Sequence, residues 1–335
     1  MNHWLSLKKP HIEEITYELY SHFISTHFTP YFKPLKLKTP EVSHNHLQEY
    51  INLKLIDGKI NRCRRKKDKE SGANVGLSVE TLTKHRMVLR QIFENAILEG
   101  IIQTNPVTHI KLPKKQEKKG MFYTVEQANT LLEKLEGEMI KPIVIVALYY
   151  GLRRSELMGL KWDAIDFDNN KLYIRHTAVR SLDGNKGKTY YKDSTKSQAS
   201  CAEFPLIDEV KDVLLQLKSE QSKNKKLFGS EYNKSDYVFT WEDGRLIQPD
   251  FVSKKFRKLL KKHDMPDIRF HNLRHTTASI LVSKGFDIKS IQMWLRHANV
   301  KTTLNIYAHV SEDAKHTIAK DISNMFSSST ENNVH

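Results

Sequence analysis

From Ile12 to Phe28 the apolar residues Ile15, Leu19, Tyr20, Phe23 and Phe28 recur at helical spacing, and Pro30 and Pro34 are expected to break the pattern. A second helix is predicted over about Ser43 to Ile56, with Leu47, Tyr50, Ile51 and Leu55 on one side. The third, Ser78 to Glu99, puts Leu82, His85, Leu89, Ile92, Phe93 and Ala96 on one face. Ser78 is placed to cap its start, and Gly100 ends it. The first hundred residues therefore read as a small helical domain. Between the second and third helices, Asn61 to Gly72 is dense in charge and ends in breakers, as expected of a loop.

Lys111 to Gly120 is basic, contains Pro and Gly, and has no periodicity, so the domain boundary is placed there. Residues 1–112 form the first domain, 113–120 the linker, 121–326 the second domain and 327–335 a polar tail expected to be disordered. In the second domain Thr124 caps a helix carrying Val125, Ala128, Leu131, Leu132 and Leu135. Pro142 opens a largely buried helix to Tyr150, Gly151 interrupts it, and Arg153 to Leu160 follow as a short helix. Alternation predicts strands at Leu172–Val179, Thr189–Lys192 and Ala202–Leu206, with a turn over Asp193 to Gln198. Residues 206–226 return to helical spacing, Val238–Phe239 reads as a short strand, and Asp243–Gly244 as a turn. Pro249 opens the next helix, with Val252, Phe256, Leu259 and Leu260 inward. Three further helices follow. The fold class is mainly α with a small antiparallel β-sheet.

Composition changes this picture at one point. The net charge is +15, and it is unevenly spread. Residues 1–120 hold 21 Lys+Arg against 12 Asp+Glu, a surplus of 21 − 12 = 9, which leaves 15 − 9 = 6 for the longer remainder. Phosphate backbones attract such a surplus because counterions are released on binding. A merely solvated basic surface is the alternative. The two cysteines, Cys63 and Cys201, fit no metal spacing. No apolar run approaches a membrane span and the start lacks a signal-peptide core, so the expected location is cytoplasmic, with no membrane partner.

Four stretches carry candidate chemistry: Gly151 to Glu156, Phe270 to His275, Trp294 to Val300, and Val300 to His309. Cutting a phosphodiester without metal requires fixed cations around the phosphoryl oxygens, an in-line nucleophile and a proton for the leaving oxygen. His271 and Arg274 are three apart at a helix start, on one face, where a helix end also favours phosphate. Arg153 and Glu156 are again three apart. Lys196 lies in a Ser/Thr-rich hairpin turn. Taken singly, each reads as well as a surface charge or an ion pair. A metal site built on His271, His275, His297 and His309 lacks the Glu of the zinc-helix pattern.

Together the order is specific. Arg153 in Gly-Leu-Arg-x-x-Glu, Lys196 in a hairpin, His271-x-x-Arg274, His297 and then Tyr307 ten later resemble the tyrosine recombinases, the phage-integrase family, and most resemble integrases of bacterial mobile elements. The resemblance covers nearly the whole chain, residues 10–112 matching the helical core-binding domain and 120–322 the mixed α+β catalytic domain. It implies site-specific recombination through a 3′-phosphotyrosine at Tyr307, with no metal, nucleotide or other cofactor. Arg153 and Arg274 would clamp the scissile phosphate, and His271 would hydrogen-bond a phosphate oxygen. Lys196 would protonate the 5′ oxygen, His297 would support the transition state, and Glu156 would orient the helices around it. Arg154 adjoins Arg153, but the Arg-x-x-Glu register selects Arg153.

Double-stranded DNA is the implied partner, bound as a homotetramer on paired sites, with accessory DNA-bending or directionality proteins as further partners. Lys84, Arg86 and Arg90 on the 78–99 helix are the expected DNA contacts in the first domain, and Ala314 to Phe326 the segment that docks on a neighbouring subunit. Many such integrases carry a small arm-binding domain ahead of this part; the chain reads as beginning directly in the core-binding part, so it is expected either to lack arm-site binding or to be a shortened gene product. One departure stands out: Arg296 occupies the place before the histidine where the family usually has Gly, and Gly tolerates backbone angles that Arg does not. A topoisomerase-like relaxing enzyme, a DNA-binding regulator and a metal nuclease are the rival readings.

Overall fold

The computed structural model describes residues 1–59, 75–114, 121–181, 189–193, 202–297, 299–300 and 303–304. The chain divides into two compact units, Met1–Lys118 with Ser181–Lys186, and Lys119–Arg180 with Gly187–His335.

In the first unit the helices are α1 (Asn2–Lys8), α2 (Glu14–Phe23), α3 (Thr29–Phe32), α4 (His44–Ile56) and α5 (Val79–Leu98). The opening residues are helical because Trp4 and Leu5 both reach the core, a helix not expected from the sequence. Pro30 does not end the helical path. A π-helical turn, Ile24–Phe28, carries it from α2 into α3, and Pro30 sits in the first turn of α3, where no intrahelical bond from its nitrogen is needed. Ser43 and Ser78 cap α4 and α5 through their side-chain oxygens, accepting from the amides of His46 and Thr81. The predicted face of α5 is buried throughout, packed with Phe28, Leu47 and Tyr50. His85 on that face touches the Tyr50 hydroxyl at 2.8 Å, with the His27 ring 4.9 Å away. The segment 61–72 lies outside the described residues.

The second unit opens with α6 (Val125–Lys134), whose Thr124 cap and Gln127 exchange hydrogen bonds as a capping box. Next come α7 (Lys141–Tyr150) and α8 (Arg154–Met158). Nearly every side chain of α7 is buried, so it forms the centre on which the other elements pack. Strands β1 (Ile165–Asp166), β2 (Lys171–Ile174) and β5 (Ala202–Pro205) make an antiparallel sheet in the order β1-β2-β5, with Leu172 opposite both Ile165 and Phe204. The alternating run predicted as one strand is two. After Arg175 the chain leaves that sheet, and β3 (His176–Arg180) pairs with β4 (Thr189–Asp193) instead. The break lets β3 pack under α8. Gly159 faces it so closely that a Cβ there would stand 2.6 Å from the Thr177 backbone. Val238–Phe239 forms no strand among the described residues; isolated bridges flank it, Lys161 with Tyr237 and Thr240 with Leu246.

Helices α9 (Asp208–Phe228), α10 (Pro249–Lys262), α11 (Asn272–Ser283) and α12 (Ile288–Leu295) complete the unit. The Tyr150 hydroxyl ties α7 to the end of β5, donating to the Pro205 carbonyl and accepting from the Ile207 amide, both at 3.0 Å. Thr277 on α11 donates to the Leu148 carbonyl at 2.7 Å, which holds α11 against α7. The architecture is thus mainly helical with a small antiparallel sheet. No helix among the described residues is long and apolar enough to cross a membrane.

Candidate active site

The site is built where three helix ends meet: the C-terminus of α7, the N-terminus of α11 and the C-terminus of α12. Gly151 ends α7 with φ 59°, and the Leu295 side chain lies where its Cβ would be, 2.4 Å away. That close approach brings the Gly151 carbonyl within 2.7 Å of Arg274 Nη1.

Arg153 is not on a helical face, as its spacing from Glu156 suggests. It is the N-cap of α8, extended at φ −67° and ψ 146°. Its amide donates to Glu156 Oε2 at 3.0 Å and its Nη1 to Glu156 Oε1 at 2.9 Å. The three-residue spacing lets Glu156 reach back to the N-cap amide, as the acidic half of a capping box does. Arg154 turns the other way, onto α10, where Nη1 reaches Ser253 Oγ at 2.8 Å and the Asp250 carboxylate at 3.4 Å. The geometry therefore separates the two neighbouring arginines.

Arg274 is buried in the first turn of α11. Besides the Gly151 carbonyl it holds the Leu295 carbonyl through Nη2 and the His297 ring, where Nε meets Nε2 at 3.2 Å. Its two remaining N–H groups have no acceptor among the described residues. Burial is the main cause that pulls its pKa down to about 10, helped by Arg153, so it stays charged at neutral pH.

An arginine nitrogen only donates, so Nε2 of His297 must accept and its proton resides on Nδ1. Thr303 Oγ1, fully buried, lies 2.9 Å from that Nδ1 and receives it. Burial first, then Arg274 and Arg153, press the His297 pKa to about 4, in keeping with a neutral ring. His271 is the N-cap of α11 and keeps an exposed face; its ring meets His275 edge-on, centroids 5.5 Å apart. Burial, and then His275 and Arg274 beside it, push its pKa down as well.

Arg296 joins the two halves. It ends α12 in the left-handed conformation, φ 55° and ψ 48°, the geometry for which glycine is the easier choice. Its carbonyl accepts from Arg153 Nη2 at 3.2 Å, and its own Nη1 lies 3.5 Å from Glu156 Oε1. Consecutive residues 295–297 thus hold both candidate arginines.

Arg153, Glu156, Arg274 and His297 form one hydrogen-bonded cluster with His271 beside it. Lys196 and Tyr307 lie outside the described residues. Thr303, Gln292, whose Nε2 holds the His297 carbonyl at 2.9 Å, and the Arg296 side chain were not expected as parts of the site. Among the described residues no group of three or more His, Cys, Asp or Glu is placed to hold a metal ion. In the first unit Lys84 and Arg90 are exposed, Arg90 paired with Glu94 at 2.8 Å, while Arg86 donates to the Ile110 carbonyl at 3.1 Å.

Comparison with known proteins gives the class. Residues 122–314 match the phage integrase family, and residues 1–55 match the phage integrase N-terminal SAM-like domain. The chain belongs to the phage integrase family, the tyrosine recombinases, enzymes that break and rejoin DNA in site-specific recombination. It is 29% identical over 264 residues to a tyrosine recombinase XerC-like protein of Caldanaerobacter subterraneus subsp. tengcongensis, covering 75% of this chain and 68% of that one. With the ICEBs1 integrase of Bacillus subtilis it shares 24% identity over 311 residues, 92% of this chain and 77% of the other. Its fold is similar to that of the Tn1549 transposon integrase solved in complex with transposon right end DNA, with a TM-score of 0.68 and 20% identity, covering 96% of this chain and 98% of that one.

Proposed function

We propose that this protein exchanges DNA strands at the ends of a mobile element through a 3′-phosphotyrosine at Tyr307, without metal or ATP. The observation that carries the reading is the convergence of Arg153 and Arg274 on one turn, each with unspent N–H groups. Two guanidiniums fixed in advance need no reorganisation as negative charge grows on phosphoryl oxygens. In the reaction the Tyr307 hydroxyl gives up its proton to the neutral His271 ring as its oxygen attacks phosphorus, the bond from phosphorus to the 5′ oxygen breaks, and Lys196 gives that oxygen a proton; the return step runs both proton transfers in reverse. A 5′ hydroxyl from a second duplex then attacks the phosphotyrosine and releases the tyrosine. One phosphodiester is spent and one regained, so no energy source enters.

Within this scheme Glu156 anchors Arg153, His271 meets a phosphate oxygen from the start of α11, and His297 orients Arg274 and supports the transition state. The first unit serves as the core-binding domain on double-stranded DNA, with Lys84, Arg86 and Arg90 as contacts. Two sites of two strands each call for four subunits, assisted by accessory DNA-bending or directionality proteins. Support comes from the family membership and from structural relatives solved on DNA.

The test is trapping. A nicked suicide duplex carrying one end of the element is incubated with the protein in chelator, beside the Tyr307→Phe variant. A covalent adduct that disappears in the variant is expected. A bound duplex that yields no adduct sinks the reading, and an adduct that forms only with added divalent metal replaces it with metal chemistry.

A further inference from the structure

We propose that Arg296 is a positioning residue for strand cleavage: its side chain is a second counter-cation for Glu156, and its carbonyl sets the guanidinium of Arg153. The inference rests on the phosphotyrosine reading above.

An arginine at φ 55° carries a conformational cost that glycine would not. Keeping one there calls for an interaction that its side chain alone can make. That side chain is 27% exposed, and its Nη1 lies 3.5 Å from Glu156 Oε1, the oxygen to which Arg153 already donates at 2.9 Å. Glu156 itself is 6% exposed, so its charge must be met by neighbours rather than water.

The local sum of charges shows what the extra cation does. With Arg153 and Arg274 alone, the buried carboxylate leaves a net +1; Arg296 raises it to +2. A bound phosphodiester carries one negative charge, and it gains a second as an ionised tyrosine oxygen adds to phosphorus. Whatever Lys196 adds, a further cation gains more from the doubly charged transition state than from the singly charged ground state, which places its effect on rate more than on affinity. Sharing Oε1 between two arginines also weakens the hold of Glu156 on Arg153. The carbonyl contact at 3.2 Å meanwhile keeps the guanidinium aimed.

Three full-length variants separate charge from turn. Arg296→Gly relaxes the backbone and removes the cation, Arg296→Met keeps the stem without charge, and Arg296→Lys restores charge in the strained conformation. Each is assayed for adduct formation on the nicked duplex at saturating protein, for thermal melting, and for affinity in the Tyr307→Phe background. Arg296→Gly should melt at or above wild type yet form adduct about tenfold more slowly. Arg296→Met should slow similarly, and Arg296→Lys should recover to within about threefold, with affinities changed less than about threefold. Wild-type rates in both Arg296→Gly and Arg296→Met overturn the proposal. So does a fall in the Arg296→Gly rate matched by a fall in melting temperature, which marks a purely structural role. If wild type itself forms no adduct, the phosphotyrosine reading fails too, an outcome distinct from adduct formation indifferent to residue 296.

Discussion

Single atoms decide what the His297 ring does. Its Nε2 must stay an acceptor for Arg274, and that depends on Thr303 taking the Nδ1 proton. Replacing Thr303 by Val keeps the shape but leaves a buried N–H unmatched, a cost of about 1–3 kcal/mol. Nothing then holds the proton on Nδ1, and the competing Nε2 tautomer, which sets a donor against Arg274, gains population. Thr303→Val should therefore lower the adduct-forming rate well beyond its effect on melting, and Thr303→Ser should restore it. An unchanged Thr303→Val rate would show that the tautomer is set elsewhere. The depressed pKa has a visible sign as well. With His297 near 4, the neutral acceptor persists as pH falls through 6.5, so loss of cleavage from this group should appear only towards pH 4. Sequence pointed to Arg153, Glu156, Arg274 and His297 by their types and order, and these four do come together in one cluster. It did not reveal Thr303, whose hydroxyl matters only because the chain folds back six residues after His297. Nor did it show that Glu156 reaches back to the amide of Arg153 at the start of α8, since three-residue spacing serves a helical face equally well.

At the scale of elements, capped amphipathic helices such as α5 and α6 were legible, since periodicity and a Ser or Thr at the start point the same way. The misreadings have tertiary causes. Pro30 is tolerated because a π turn hands the chain into α3, and the run after Leu172 splits because β3 is drawn beneath α8. A further consequence lies between α2 and α5. His27 and His85 are buried in the amino-terminal core, and neither His27 Nδ1 nor His85 Nε2 has a partner among the described residues. Burial, and then Lys54 and His22 nearby, hold His27 at about 4; burial, then His27, Lys54 and His22, hold His85 at about 3. Between pH 6.5 and about 4 the unfolded chain binds protons that the folded core refuses. Stability must then fall as pH falls, by about 1.4 kcal/mol per pH unit for each histidine. His27→Phe forfeits no hydrogen bond at Nδ1 and suits the surrounding rings of Phe23 and His85. It should lower the dependence of melting temperature on pH in this window by one histidine's share, about a quarter of that set by His27, His85, His271 and His297 together; an unaltered slope would place the acid sensitivity outside this core.

For the whole molecule the decisive quantity is where the positive charge is available. The +15 net charge has its surplus of 21 − 12 = 9 in residues 1–120, but not every cation there is equally free to meet phosphate. Lys84 and Arg90 are exposed on α5. Arg90 would surrender an exposed ion pair with Glu94 worth about 0–1 kcal/mol, whereas Arg86 would surrender its bond to the Ile110 carbonyl. On the proposed DNA-binding role the three should separate when binding to the nicked duplex is followed against salt. Lys84→Ala should reduce the slope of log affinity against log salt by about 1 with little change in melting, because one phosphate contact releases roughly one counterion. Arg90→Ala should do the same, slightly offset by the freeing of Glu94 from its partner. Arg86→Ala should lower the melting temperature as well, since it leaves a main-chain carbonyl without its donor. A slope unchanged in both Lys84→Ala and Arg90→Ala would take this face of α5 off the DNA, and the counterion release would then have to come from other cations of the chain.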